Sequence, residues 1–197
     1  VEICGGIASG KTSFASLFNN RYITSVFENF KKSPFWEAFY TNPGKYIFET
    51  EISFLLLHYH QIKKSIDSDI FNLICDFSLY LDLAYAKMGL KGSKLHSFKN
   101  VYSEILQELH KPNLLIYLKC DSHTELHRIQ QRSRNEEIKI NLPFLASLNE
   151  YIEKEINNLR MEIPVIEIDS AQNDFVNNEY VKHKMKSLIH NHFFKSA

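Results

Sequence analysis

Apolar and polar positions along the chain alternate between two rhythms. Short apolar runs at residues 1–4, 22–26, 71–75, 114–118 and 164–168 each read as a strand. Between them, apolar positions recur every three to four residues, the period of a helix with one buried face. That rhythm predicts helices over 11–19, 35–40, 45–65, 78–88, 94–110, 122–131, 142–159 and 174–192. The plainest case is 142–159, where Leu145, Leu148, Ile152, Ile156 and Leu159 share one face. Asn42-Pro43-Gly44 reads as a turn before the longest helix, and Gly89 as a helix stop. Strands that alternate with helices make a parallel sheet covered on both faces. The expected fold is therefore α/β, three layers around a five-stranded parallel sheet. No repeat, low-complexity run or linker interrupts the pattern, so residues 1–197 read as one domain. Residues 132–139 are polar and offer little to bury, which marks them as the candidate mobile loop.

Composition narrows the function classes. With 44% hydrophobic and 13% aromatic residues, the chain can build a real core and does not read as disordered. Its apolar runs are far shorter than a membrane span, and residues 1–4 already read as a strand rather than a signal peptide. Lysine plus arginine equals aspartate plus glutamate at 23 each, which does not suit a partner that is a nucleic-acid polymer. Cys4, Cys75 and Cys120 are far apart and odd in number, so they read as buried thiols in a reducing, cytoplasmic setting. The histidines show no zinc spacing; His58 and His60, two apart, would point to different faces of a helix.

Chemistry enters at Gly5-Gly6-Ile7-Ala8-Ser9-Gly10-Lys11-Thr12, which fits G-x-x-x-x-G-K-[ST] between a strand and a helix. The glycines let consecutive backbone amides curl toward phosphate oxygens, and the helix presents its positive end to the same anion. Lys11 is expected to reach the β- and γ-phosphates of ATP, and the Thr12 hydroxyl to ligate magnesium. The loop alone does not distinguish an ATPase, a GTPase or a small-molecule kinase. No guanine-reading N-K-x-D motif is present to favour a GTPase.

The features that follow the loop resemble the deoxynucleoside kinase family, particularly its shorter bacterial members, over almost the whole chain. The likeness lies in Glu28 after the second strand, in Phe39-Tyr40, Asn42-Pro43 and Tyr46, and in Phe54-Leu55-Leu56. It is most specific in Leu126-His127-Arg128-Ile129-Gln130-Gln131-Arg132-Ser133-Arg134-Asn135-Glu136-Glu137, which resembles the family lid, here about 128–139. The last strand and Asp174-Phe175 are similar to the family's adenine-side loop.

The resemblance implies a P-loop kinase that moves the γ-phosphate of ATP, or another nucleoside triphosphate, to the 5′-hydroxyl of a deoxynucleoside. It also implies magnesium and a homodimer. Glu28 would be the general base, Tyr40 and Glu137 would hold the sugar 3′-hydroxyl, and Arg128, Arg132 and Arg134 would gather on the transferring phosphoryl group. Asp76 would help hold magnesium beside Thr12. Blander readings stand beside these: a helix-start Glu28, a core Tyr40, and arginines on a solvated helix end.

The chain departs from the family pattern at three positions. Phe77 stands where the family has arginine, Glu51 where glutamine is usual, and His58 where arginine commonly pairs with the acid that is Asp82 here. An ionised Glu51 only accepts hydrogen bonds, which suits the adjacent N1–H and N2–H of guanine. A good bidentate contact discriminates by about 1–3 kcal/mol. The expected acceptor is thus a purine deoxynucleoside, deoxyguanosine first, unless Glu51 turns aside to pair with His58. Two other functions remain open from the sequence: a nucleoside monophosphate kinase of the thymidylate kinase kind, and a nucleotide-binding protein without turnover.

Overall fold

The computed structural model describes residues 1–68 and 72–194, with backbone only at Tyr40 and at residues 191–194. Five strands form the sheet: β1 (Glu2–Cys4), β2 (Thr24–Val26), β3 (Leu73–Cys75), β4 (Leu115–Lys119) and β5 (Val165–Asp169). They lie in the order β2-β3-β1-β4-β5, and every neighbouring pair is parallel. The helices are α1 (Lys11–Ser16), α2 (Trp36–Thr41), α3 (Pro43–Asp67), α4 (Leu79–Gly89), α5 (Gly92–Leu109), α6 (Ser122–Arg132), α7 (Leu142–Leu159) and α8 (Glu179–Phe194).

Strand alternation builds the layers. Ile3, Ile74, Ile116 and Leu118 point to one side, into Phe14 and Ala15 of α1 and Met185 and Ile189 of α8. Cys4, Cys75, Leu115 and Tyr117 point to the other, into Leu55 of α3, Ala84 of α4, Phe98 of α5 and Ile152 of α7. Both faces of the sheet are covered, as the near-continuous apolar strands require. All three cysteines are buried and free. Burial raises the Cys4 and Cys75 thiols to about 12.

Several boundaries differ from expectation for local reasons. The expected turn at Asn42-Pro43-Gly44 is instead a helix start. The Asn42 side chain accepts from the Lys45 N–H, and Pro43 fills a first-turn position where a missing N–H does no harm. Asp174 does not open the last helix. Its carboxylate accepts from the backbone N–H groups of Val176 and Asn177, holding that stretch as a turn until Glu179. Beyond Ser16, Leu17 and Phe18 continue with bonds to the third residue back, so α1 tightens before residue 19. Phe71, expected to open the third strand, lies outside the described residues.

The stretch 132–139 also departs from expectation, because it buries a charged group. Ser133 takes a left-handed conformation at φ 48°, a 3-10 turn spans Asn135–Glu137, and Glu137 is only 4% exposed. Counting apolar residues overlooks a carboxylate that is buried because arginines pair with it.

Candidate active site

The loop between β1 and α1 holds its shape through its own backbone. Ala8 and Gly10 have φ of 62° and 99°, and the Ser9 N–H donates to the Gly6 carbonyl. Lys11 lies across the loop, its Nζ donating to the Gly5 and Gly6 carbonyls at 2.9 Å each. The first two glycines are needed for space. A Cβ on Gly5 would come 2.6 Å from the Leu118 backbone carbonyl, and one on Gly6 2.0 Å from Oε1 of Glu125. Glu125, fully buried on α6, accepts from the Asn149 amide of α7. Burial raises its carboxyl to about 7.

The strands end together at the carboxyl edge of the sheet, where an open α/β fold places its ligands. There the Glu28 backbone N–H donates to Oδ1 of Asp76 at 2.5 Å, which ties the β2 loop to the end of β3. The neighbouring Phe27 carbonyl accepts from Gln61 of α3. Burial lifts the Asp76 carboxyl above the ordinary aspartate value, with the nearby Thr12 side chain opposing it. The Thr12 hydroxyl and the Asp76 carboxylate are thus adjacent oxygen donors, the type that suits magnesium. Among the described residues no three histidine, cysteine, aspartate or glutamate side chains cluster as a metal site. A cation beside Thr12 and Asp76 would complete its shell with phosphate and water oxygens.

Next to Glu28, His58 of α3 is 3% exposed. Its Nδ1 lies 3.0 and 2.9 Å from the two Asp82 oxygens, and its Nε2 lies 3.3 Å from Oε1 of Glu28. The second contact is one of charge rather than an aligned hydrogen bond. Burial lowers the imidazole, but Asp82 and Glu28 outweigh it and raise the ring to about 10, so it is charged at neutral pH. Burial raises the Glu28 carboxyl, yet His58, with Lys11 and Arg134 behind it, holds it below the usual glutamate range.

Glu51 behaves oppositely. Burial, and then the charge of Asp82, hold its carboxyl well above the ordinary value. Burial thus works against the ionised, accept-only Glu51 and favours a neutral carboxyl, which offers an O–H donor as well as an acceptor. Glu51 does not turn aside to pair with His58, both of whose nitrogens face other acids.

Arg128, Arg132 and Arg134 are engaged with protein groups rather than gathered at one point. Arg128 donates to the Ala8 carbonyl, to the Ser170 hydroxyl and to the Ser170 carbonyl. Arg132 makes a fork to both Glu137 oxygens at 2.7 and 2.6 Å, and Arg134 stands 3.5 Å from the same carboxylate. Glu137, expected at the sugar, is thus held by arginines. The Arg134 guanidinium also lies 5.2 Å from the Phe30 ring centre. Tyr40 falls on α2, and its side chain lies outside what is described.

A cavity of about 1090 Å³ joins these groups. Ile7, Ala8, Gly10, Lys11 and Thr12 line one end, while Glu28, Glu51, His58, Asp76 and Asp82 line the other; Arg128, Arg132, Arg134 and Glu137 also face it. Single-ligand pockets run to roughly 1,000 Å³, so there is room for a triphosphate and a second small molecule. Ser9 is fully buried beneath the loop, where its residue supports the turn. Three features escape a motif search. They are the aromatic wall of Phe30, Trp36 and Phe54, the Glu125–Asn149 pair, and Phe77 stacked on His58. The crowding of aromatics between residues 27 and 59 was a signal for the first. Nothing local signals the other two.

Comparison with known proteins agrees with this geometry. The family model for deoxynucleoside kinase matches residues 1–195. A deoxyguanosine kinase from Bacillus subtilis is 30% identical over 200 aligned residues, covering 96% of this chain and 97% of the relative. A deoxyadenosine kinase from Dictyostelium discoideum is 28% identical, covering 95% of this chain and 78% of its own. The structure of deoxyadenosine kinase from M. mycoides with bound dCTP superposes with a TM-score of 0.79 at 21% identity, covering 95% of this chain and 100% of that one. At that identity the likeness speaks for the fold.

Proposed function

The chain belongs to the deoxynucleoside kinase family and phosphorylates a nucleoside; from that premise we propose a purine deoxynucleoside as acceptor, its 5′-hydroxyl attacking the γ-phosphate of ATP. The observation that carries this reading is the single cavity lined by the phosphate loop and also by Glu28, His58 and Glu51.

Glu28, ionised and anchored through its backbone to Asp76, takes the hydroxyl proton. The O5′–P bond forms as the bond from the γ-phosphorus to the β,γ-bridging oxygen breaks, and the nucleoside diphosphate leaves. Lys11 exchanges its two loop carbonyls for phosphate oxygens. The arginines supply charge and positioning, which is most of what phosphoryl transfer asks of a protein. Thr12 and Asp76 would hold magnesium, which neutralises phosphate charge when bound.

The base reading rests on Glu51. A neutral carboxyl can pair with O6 and N1–H of guanine, or with N1 and N6–H₂ of adenine. Guanine also suits the ionised form, through N1–H and N2–H. A neutral carboxyl also fits the donor–acceptor edges of cytosine and thymine, so guanine stands out as the base that suits both forms; deoxyguanosine is therefore the proposed first choice and, in line with the deoxyadenosine kinases among the relatives, deoxyadenosine the second. The name of the Bacillus subtilis relative is consistent with this. We also propose a homodimer, as the family resemblance implies, and a cytoplasmic setting, consistent with three free buried thiols. No described helix is long and apolar enough to cross a membrane.

The test is ADP formation from ATP and magnesium with each of four deoxynucleosides and their monophosphates. Deoxyguanosine should turn over fastest and monophosphates not at all. A clear preference for thymidine or deoxycytidine would overturn the base reading. Turnover of monophosphates alone would overturn the acceptor class.

A further inference from the structure

His58 has no rotational freedom left. Asp82 takes Nδ1 with both oxygens, at 3.0 and 2.9 Å. Phe77 lies flat against the ring, with centroids 4.2 Å apart and planes 8° from parallel. With one nitrogen and the ring plane fixed, Nε2 can face only Oε1 of Glu28, 3.3 Å away. The contact joins three separate elements: the loop after β2, helix α3 and helix α4. A buried ring accepts a positive charge when opposite charges flank it, and here carboxylates stand at both nitrogens. Phe77 adds an aromatic face to that cation without adding charge.

The geometry points to His58 as a positioning residue for phosphoryl transfer: framed by Asp82 and Phe77, its Nε2 fixes where the Glu28 carboxylate sits beside the acceptor hydroxyl. The assignment rests on reading Glu28 as the general base. His58 neither gives nor takes a proton in the step. The hydroxyl proton ends on Glu28, and the ring keeps its own. Phe77, which brings no charge to the site, serves it by holding the one cation that meets Glu28 from the helix side.

The experiment is steady-state kinetics on the full chain with ATP, magnesium and its best deoxynucleoside. Misplacing a reacting group by about 1 Å costs roughly 10²-fold. His58→Asn should therefore lower kcat about a hundredfold while leaving KM for ATP unchanged. His58→Arg, which keeps a positive charge and a fork for Asp82, should recover at least tenfold of that loss. In a Glu28→Gln background, His58→Asn should cost nothing further in kcat. Equal losses in both backgrounds, or no recovery with arginine, would overturn the assignment. Full turnover by Glu28→Gln alone would instead sink the reading of Glu28 as base, a separable result. If His58→Asn does not fold, Phe77→Leu carries the test. It should lower kcat several-fold in the wild-type background and not at all with Glu28→Gln; a loss of similar size in both would likewise overturn the assignment.

Discussion

The two ends of the cavity are built on opposite plans. The phosphate end is one contiguous stretch whose working groups are backbone amides, fixed by bonds inside the loop. The other end is assembled from side chains on the β2 loop, α3, the end of β3 and α4, with Glu28, Glu51 and Asp82 gathered about one imidazole and Asp76 holding the Glu28 backbone. At the first end the backbone sets the geometry, and side chains other than Lys11 and Thr12 matter mainly through the space they occupy. At the second, each ionisation depends on its neighbours, so a substitution changes several groups at once.

That contrast can be tested in steps, beginning with the largest effect. Lys11→Ala removes the one loop side chain that carries charge to the phosphates. It should cut kcat/KM about 10³-fold, measured by ADP release, with little change in the melting temperature. A loss under tenfold would mean that the loop amides work without it.

Gly5→Ala and Gly6→Ala separate backbone from side-chain crowding. The first methyl would meet the Leu118 backbone carbonyl, which cannot move, whereas the second meets the end of the Glu125 side chain. Gly5→Ala should raise the Kd for ATP about tenfold or more, and Gly6→Ala less. Because Asn149 Oδ1 also lies 2.6 Å from that methyl, Glu125→Ala combined with Gly6→Ala should restore part of the binding. Equal losses, or no restoration, would blur the distinction between the two glycines.

The acceptor end should show itself in pH-dependent stability. His58 is raised from an ordinary value near 6.5 to about 10 by folding. Its contribution is complete below pH 6.5 and is lost as pH rises through about 10. Thermal melts of the wild type and of His58→Asn should differ most near pH 6, by a few degrees, and converge toward pH 10. A gap that widens with pH would contradict the charged ring.

Glu51→Gln is the mildest change. A protonated carboxyl and an amide offer the same donor and acceptor, so deoxyadenosine turnover should stay within about twofold, and any deoxyguanosine advantage should shrink a few-fold. A drop with deoxyguanosine and a gain with deoxyadenosine would mean that Glu51 acts as an anion.

The sequence carried the phosphate end almost complete, because eight adjacent residues encode it and the strand and helix around it follow from local periodicity. It also carried the Arg128, Arg132, Arg134 and Glu137 set, as a spaced motif. It did not carry the pairing within that set. Glu137 sits on Arg132 because the turn after Ser133 folds the chain back on itself. The upward push on the Glu51 carboxyl was likewise hidden, since it depends on tertiary burial and on Asp82 from another helix. The contact between His58 and Glu28 needs the β2 loop pinned by Gln61 and Asp76, residues distant in the chain. Periodicity tells which face is buried, and it leaves open which charges will share that burial.

Arg128 joins two parts of the rim that the chain lays down far apart. By holding the Ala8 carbonyl and both oxygens of Ser170, it seams the opening loop to the turn after the last strand. The two parts of the rim thereby stand as one wall instead of two independent flaps, and a single bond, to the Ala8 carbonyl, ties the opening loop into it. Whatever loosens that seam frees the opening loop and the turn after the last strand in the same movement.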